Sequence, residues 1–318
     1  MQRAAIVIAI AALLALLLFV SLPGQGLWHQ VSLNASHGPI FAVVAVLLLV
    51  MLPPDSRTGA PAYVNAFFAA VGLGILIEIL QTLAHRPGSP FDVMTDAAGA
   101  AAGLGLWALA AGRRKPAAHQ SSPQRPAKSW WPLAVALAGI TIVAWQPLRA
   151  ARAYSDRASE FPTIARFEDA RDLTFVTTDS TNVGIVELPA PWAQRAGERA
   201  LRLGFDERHA PAMQIVEPSP DWRGYSVIAA DLTNAGDTEV RLTFRIHDAA
   251  HDWSYEDLMN LPLVLAPGTR TTVRVALAEV RAAPASRPMD LSRIANVMLF
   301  GVPAKPPGEI YVSRLWLE

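Results

Sequence analysis

Apolar residues follow two different patterns along the chain, and the change falls near Leu148. Before it, they form long runs; after it, they come in short alternating stretches. A helix needs about 20 mostly apolar residues to cross the hydrocarbon core of a bilayer, and such runs fold as helices because each backbone polar group must be satisfied within the segment. The pattern predicts five spans: Ala4–Leu22, Pro39–Leu52 with an extension back to Ala35, Ala62–Ala84, Thr95–Ala111 and Pro132–Leu148.

The first run could instead be a signal peptide, because Arg3 precedes it. The residues that follow, Ser21-Leu-Pro-Gly-Gln, contain no small-x-small cleavage pattern, which favours an uncleaved anchor helix. Cleavage would leave the topology of the later helices unchanged.

Lysines and arginines in short loops predict the orientation of the spans. Most of them lie in one loop, Gly112–Ser129, which we therefore place in the cytoplasm. Counting spans from this loop puts the N-terminus inside, the loop around Trp28 and His29 outside, and everything after Leu148 outside. Arg86, Arg149 and Arg152 run against this assignment. We expect a multi-pass protein of the inner (cytoplasmic) membrane with a cytoplasmic N-terminus and a periplasmic or extracellular C-terminal domain.

The C-terminal half shows the two-residue period of β-strands. Every second residue between Glu239 and Ile246 is apolar, and turn-forming residues such as Asn234-Ala-Gly-Asp separate several shorter runs of this kind, Leu173–Thr178 among them. The fold class we predict is a multidomain membrane protein, an all-α transmembrane bundle followed by an all-β sandwich. Its segments are helices 1–4 at 1–112, a cytoplasmic linker at 113–129, helix 5 at 130–148, a stalk at 149–160 and the sandwich at 161–318.

Composition narrows the function classes. The formal net charge is zero, which argues against a nucleic-acid partner because such proteins present a basic face. The chain contains no cysteine, which excludes disulfides, thiolate metal sites and a cysteine nucleophile. We predict no cofactor and no metal.

Ionisable residues inside spans are costly and mark functional candidates. On the predicted third helix Glu78 and Gln81 lie close to one face, and on the fourth Asp92 and Asp96 do the same, with Gly99 and Gly103 at the small-xxx-small spacing of close helix contacts. A short hairpin joins these two helices. The predicted polar cluster near the outer surface is His37, Glu78, Gln81, Arg86, Ser89, Asp92 and Asp96.

Glu78-x-x-Gln81, Arg86, Ser89-x-x-Asp92 and Asp96-x-x-Gly99 together resemble the core pattern of the VanZ-like membrane proteins, with His37 at the position of the histidine in an earlier helix of that family. The resemblance covers roughly Ala35 to Trp107, and Asp96 stands where the family usually has Asn. It implies a role in the bacterial envelope and names no reaction or ligand.

The polar cluster has several interpretations. Its residues could simply join helices, with Glu78 paired to Arg86 and Asp92 capping the fourth helix. They could bind a polar headgroup or sugar phosphate at the outer leaflet. A catalytic version would use Glu78 or Asp92 as general base with Arg86 holding a phosphate. A metal on His37, His85 and Glu78 fits no known spacing.

Landmarks of the C-terminal half resemble the galactose-binding-like jelly rolls that serve as carbohydrate-binding modules. They run from Asp221-Trp-Arg-Gly-Tyr and Asp231-Leu-Thr-Asn through Arg245-Ile-His-Asp and Leu265-Ala-Pro-Gly to Asp290-Leu-Ser-Arg-Ile. In such modules the loop after the Arg245 strand often carries ligand contacts, and aromatic rings beside carboxylates and amides suit sugars. The predicted glycan-binding residues are Arg245, His247, Asp248, His251, Trp253, Tyr255, Asp257 and Asn260.

Alternatively, Trp253 and Tyr255 pack under the loop, and the domain is a spacer. A glycosidase is less favoured, because a single acidic loop does not identify the pair of catalytic carboxylates that such an enzyme uses. We expect a protein that binds or positions an envelope glycan or a lipid-linked sugar, with the lipid bilayer as its other partner. A membrane enzyme acting on a lipid-linked phosphate and a structural scaffold remain alternatives, and the chain is more typical of a binding protein than of an enzyme.

Overall fold

The structure is a computed structural model that describes residues 2–19, 26–57, 59–84, 89–113, 130–219 and 221–318. The chain divides into two compact units, Met1–Ala151 and Arg152–Glu318. The first unit is helical, and the second contains two antiparallel β-sheets.

Five helices are long and apolar enough to cross a membrane, as the apolar runs predict. Their bounds are α1 Gln2–Phe19, α2 Leu27–Met51, α3 Ala60–Leu83, α4 Pro90–Arg113 and α5 Trp131–Glu160. Three of them, α2, α4 and α5, are several residues longer than predicted, and α4 begins at Pro90 instead of Thr95. Helix α2 includes Trp28 and His29, which were expected in a loop, because nothing between Gly26 and Pro39 stops a helix. Helix α5 continues through the predicted stalk to Glu160.

Glycines allow α2, α4 and α5 to approach closely. A Cβ atom on Gly99 of α4 would lie 2.1 Å from the carbonyl oxygen of Gly38, and one on Gly103 would lie 2.4 Å from that of Ala42. A Cβ atom on Gly139 of α5 would lie 2.4 Å from the carbonyl oxygen of Ala98 on α4. The small-xxx-small spacing on α4 therefore marks a close helix contact, as predicted, and the structure identifies α2 as the partner.

The second unit is built from eleven described strands and one short helix, α6, at Leu277–Ala282. The strands are β1 Thr163–Ala165, β2 Val176–Thr177, β3 Thr181–Glu187, β4 Arg199–Phe205, β5 Ala212–Val216, β6 Val227–Asn234, β7 Val240–Asp248, β8 Met259–Leu265, β9 Thr269–Ala276, β10 Ile294–Gly301 and β11 Gly308–Leu317.

The strands form a six-stranded sheet with the order β3-β4-β11-β6-β9, in which β1 also pairs with β11, and a five-stranded sheet with the order β2-β5-β10-β7-β8. From β4 onward the chain crosses repeatedly between the sheets, which gives the layers β4-β11-β6-β9 and β5-β10-β7-β8. This order is that of a jelly roll. The core lies between the sheets and includes the fully buried side chains of Trp222, Phe167, Phe244 and Ile246.

The beginning of the second unit differs from the sequence prediction. Residues 173–178 were expected to form one strand, but Ala170–Phe175 is a 3-10 helix because Asp169 and Asp172 form a capping box at its start. Only Val176–Thr177 pairs as a strand. The unit also starts earlier than residue 161, at Arg152. One reason is that Arg157 places its guanidinium 3.4 Å from the centre of the Phe175 ring and donates to the carbonyl oxygen of Glu217.

Candidate functional sites

The helical unit has a buried histidine–carboxylate pair at the centre of its polar cluster. The Nδ1 atom of His37 on α2 lies 3.0 Å from Oδ1 of Asp96 on α4, and the Asp96 side chain is 0% exposed. Gly74 of α3 leaves the space that Asp96 occupies, since a Cβ at position 74 would lie 2.6 Å from Oδ2. Three helices therefore meet at Asp96. The predicted polar cluster contains both His37 and Asp96, but the sequence did not predict that they pair with each other.

The rest of the cluster extends from Asp96 towards the start of α4. The backbone N–H of Ser89 donates to Oε2 of Glu78 at 2.7 Å, and Gln81 donates to the carbonyl oxygen of Leu17 at 3.5 Å. The side chains of Glu78, Gln81 and Asp92 are buried. Arg86, the predicted partner of Glu78, lies outside the described residues.

Two acceptor atoms in this cluster have no hydrogen-bond partner within the described part of the chain. They are Oε1 of Glu78 and Oδ2 of Asp96, and both are buried. A carboxylate oxygen that is kept from water requires a donor, because leaving it without one is costly. The arrangement is thus suited to accept hydrogen bonds from a hydroxyl or ammonium group, or to hold a proton.

The second unit presents polar and aromatic side chains on the outer face of its five-stranded sheet. Strand β7 alternates between core residues and outward residues, and Arg245 and His247 are outward. The register aligns Asn260 of β8, Arg245 of β7, Met298 of β10 and Gln214 of β5 in one row across four strands. Three interstrand spacings make this row roughly 14 Å long. We call this surface the sheet face.

Polar groups on the sheet face are held by their neighbours. Arg245 donates from Nε to Oδ1 of Asn260 at 2.7 Å, and its guanidinium lies 4.7 Å from the centre of the Phe300 ring. Gln214 donates to Oδ1 of Asn296. These contacts fix amide and guanidinium groups in place while one side of the sheet stays open to solvent.

The loop between β7 and β8, residues 249–258, adds two exposed aromatic rings to one edge of the sheet face. Trp253 is 79% exposed and Tyr255 is 72% exposed. The centre of the Tyr255 ring lies 5.8 Å from the Arg245 guanidinium. The Trp253 ring is tilted against the His251 ring, with 5.6 Å between their centres. The rings therefore do not pack under the loop, which was the alternative to ligand contact.

Other predicted glycan contacts hold the loop instead of facing solvent. The side chains of Asp248 and Asp257 are 0% and 5% exposed, and both pair with Arg287. Burial would raise the pKa of Asp248, but hydrogen bonds from Arg287 and the Asp290 backbone lower it below its usual value. The Arg287 hydrogen bond also lowers the pKa of Asp257.

His251 belongs to this same inner network. Its Nδ1 atom lies 2.9 Å from the carbonyl oxygen of Asp257, and its side chain is 8% exposed. One ligand atom each from His251, Asp252 and Asp257 lie within 4.8 Å of one another, a geometry that could hold a metal ion. The Arg287 guanidinium already neutralises Asp257 there.

Part of the outer face of the six-stranded sheet is covered by the chain itself. Arg270 pairs with Glu198 at 2.8 Å and with Asp231 at 3.1 Å, and all three side chains are nearly buried. Trp192, from the connection between β3 and β4, donates to the carbonyl oxygen of Gly268 and packs beside Tyr311. The side chains in this part of the six-stranded sheet are therefore paired with one another.

Four residues that shape the sheet face and its loop were missed by the sequence prediction, and the strand pattern could have identified three of them. Gln214, Asn296 and Phe300 alternate with the core residues of β5 and β10, so their outward direction follows from the two-residue period. Arg287 lies in an irregular segment, and no sequence pattern connects it with Asp248.

No protein-family model matches the chain, and no curated protein matches it. Solved structures similar to it include the family 11 carbohydrate-binding module from Clostridium thermocellum in complex with a β-1,3-1,4-mixed-linked tetrasaccharide. That match has 14% identity over 45% of this chain and 85% of that chain, with a TM-score of 0.32.

An exo-β-agarase matches with 12% identity over 45% of this chain and 23% of the enzyme, with a TM-score of 0.36. A family 30 carbohydrate-binding module of a Clostridium thermocellum cellulosomal cellulase matches with 11% identity over 45% of this chain and 86% of the module, with a TM-score of 0.31. Identities and TM-scores this low do not identify a ligand, which must be inferred from the side chains of this chain.

Proposed function

We propose that this chain is a multi-pass membrane protein of the bacterial cell envelope whose β-sandwich binds a glycan on the sheet face. One observation carries the proposal: Trp253 and Tyr255 are exposed beside the fixed polar groups of Arg245 and Asn260. Sugars combine an apolar C–H face with hydroxyl groups, so exposed rings next to fixed donors and acceptors match both parts of the ligand.

Binding of soluble polysaccharides to the purified full chain in detergent tests this role. A panel of neutral and acidic polysaccharides would be compared by affinity electrophoresis for the wild type, Trp253→Ala and Tyr255→Ala. Loss of ring stacking should weaken binding by about tenfold for each variant, which corresponds to roughly 1.4 kcal/mol. Trp130→Ala is the matched control, because Trp130 is 75% exposed and belongs to the helical unit.

Failure of every polysaccharide to bind the wild type would overturn the proposal. So would binding that both aromatic variants retain unchanged.

The polar cluster of the helical unit supports a second role, the binding of the polar part of a lipid-linked sugar. Its support is the pair of buried acceptor atoms, Glu78 Oε1 and Asp96 Oδ2, which a sugar hydroxyl would satisfy. The VanZ-like pattern of these helices is consistent with such a role in the envelope. Glu78→Gln should lower retention of polyprenyl-linked sugars by the purified protein, while Asp55→Asn, on an exposed residue between α2 and α3, should not.

A further inference from the structure

We propose that the glycan bound on the sheet face is acidic and that Arg245 binds its carboxylate groups. This inference rests on the proposed glycan-binding function and specifies the chemical class of its ligand. The observation behind it is a fixed, half-buried cation that lacks an acidic partner within the described part of the second unit.

The contacts of Arg245 involve no negative charge. Its Nε atom donates to the neutral amide of Asn260 at 2.7 Å, and its guanidinium faces the rings of Phe300 and Tyr255. The two Nη groups make no hydrogen bond to the described residues. These groups are the terminal donors of the planar fork with which arginine binds a carboxylate in bidentate fashion.

Three other arginines of the same unit are neutralised by carboxylates. Arg241, four residues earlier on the same face of β7, pairs with Glu239 at 2.9 Å. Arg270 pairs with Glu198 and Asp231, and Arg287 pairs with Asp248 and Asp257. Arg245 thus differs from these three arginines because its charge is uncompensated. Arg199 and Arg314 also lack an acidic partner among the described residues, but they lie on strands of the six-stranded sheet.

The surroundings of Arg245 favour an anionic ligand over a neutral one. Outward residues in its row are Asn260, Met298 and Gln214, none of which is negatively charged. His247, the next outward residue on β7, is the other titratable group on this part of the strand. A ligand carboxylate would therefore meet a cation without repulsion from a carboxylate in this row, and its sugar ring could stack on Tyr255.

Matched pairs of acidic polysaccharides and their methyl esters test the assignment. Polygalacturonate, alginate and hyaluronate would each be compared with the esterified polymer on the full chain in detergent, since esterification removes the charge and keeps the backbone. We expect at least one acidic polymer to bind about tenfold or more tightly than its ester, with the difference shrinking as salt is raised.

Variants locate the effect. Arg245→Gln should abolish the preference for the acid over the ester, and Arg245→Lys should reduce it because lysine lacks the fork. Arg241→Gln removes the same charge from the same strand face at a position that Glu239 already neutralises, and it should keep the preference. An unchanged thermal unfolding midpoint would show that Arg245→Gln is folded.

The outcomes separate this inference from the function on which it rests. Equal binding of acids and esters, binding of neutral polysaccharides alone, or a preference that survives in Arg245→Gln would overturn the acidic ligand and leave glycan binding standing. Binding of no polysaccharide of any class would overturn both.

Discussion

Arg287 connects two carboxylates that would otherwise repel each other beneath the loop of the sheet face. Asp248 accepts from Nη1 of Arg287 at 2.6 Å and from the backbone N–H of Asp290 at 2.7 Å, and its side chain is 0% exposed. Without the Asp248 carboxylate, Arg287 keeps Asp257 as its charge partner but loses its charge-assisted hydrogen bonds to Asp248, at a cost of about 2 kcal/mol. Asp248→Asn should therefore lower the free energy of unfolding by about this amount.

The measurement is thermal unfolding of the full chain in detergent, followed by near-ultraviolet circular dichroism. Asp237→Asn, on an exposed turn, makes the same chemical change and should leave the midpoint unchanged. An Asp248→Asn variant as stable as the wild type would show that Arg287 does not depend on Asp248 to hold the loop.

His247 makes the stability of the sandwich depend on pH. Burial lowers its pKa below 6.5, and the positive charges of His251 and Arg245 act in the same direction, against the hydrogen bond to the Asp248 backbone. The folded state then binds fewer protons at this residue than the unfolded state, so the stability it contributes above pH 6.5 is lost as the pH falls through the folded pKa.

His247→Gln should remove part of this loss. The comparison is made by measuring the unfolding midpoint between pH 6.5 and pH 4.5, above the usual range of the carboxylates whose pKa values are lowered. If the wild type and His247→Gln lost the same amount of stability over this pH interval, His247 would not be the source of the pH dependence.

The packing of helix α4 against α2 depends on glycines of α4 that touch the α2 backbone. A methyl group on Gly99 would lie 2.1 Å from the Gly38 carbonyl oxygen, and the backbone cannot yield as a flexible side chain would. Gly99→Ala should therefore separate α2 from α4 and disturb the His37–Asp96 pair. Gly72→Ala on α3 is the matched control, because nothing lies within 4 Å of the added atom, and alanine is the better helix former.

Thermal unfolding of the helical unit in detergent distinguishes the two variants. We expect a lower midpoint for Gly99→Ala and an equal or slightly higher one for Gly72→Ala. The same midpoint in both variants would mean that α2 and α4 can adjust to the extra volume.

The elements of this chain differ in how far the sequence determines them. The five apolar helices and the alternating strand β7 follow directly from periodicity, since lipid-facing length and a half-buried sheet each leave a regular pattern. Other features depend on contacts between distant residues. His37 and Asp96 are 59 positions apart and pair only where three helices meet. Asp248 and Arg287 are 39 positions apart and pair only where the end of β7 meets the irregular segment before β10.

Contacts between distant residues also decide which of the candidate glycan-binding residues face solvent. Asp248 and Asp257 have the right chemistry for sugar binding, but whether a carboxylate faces solvent or a buried arginine is decided by the fold. Trp253 and Tyr255 could equally have packed inward, and only the path of the loop, with Trp253 at a positive φ of 69°, leaves them outside.

For the whole molecule, the proposed function requires that the sandwich meet envelope glycans outside the cytoplasm. Arg113 ends α4, and Arg114 and Lys115 follow it in the sequence, which favours a cytoplasmic position for the segment 113–129. Helix α5 has the length and apolar character of a span, so the chain after it would emerge on the opposite side. The orientation of the sandwich thus depends on charge in a segment far from it.

The absence of cysteine makes this orientation directly measurable, because each introduced thiol is the sole target of a maleimide. Ser286→Cys, on an exposed residue of the sandwich, should react with a membrane-impermeant maleimide in intact spheroplasts. Ser121→Cys, in the loop between α4 and α5, should react only after the membrane is permeabilised. The opposite pattern would place the sandwich in the cytoplasm, where an envelope glycan could not reach the sheet face, and would remove the basis for the proposed ligand class.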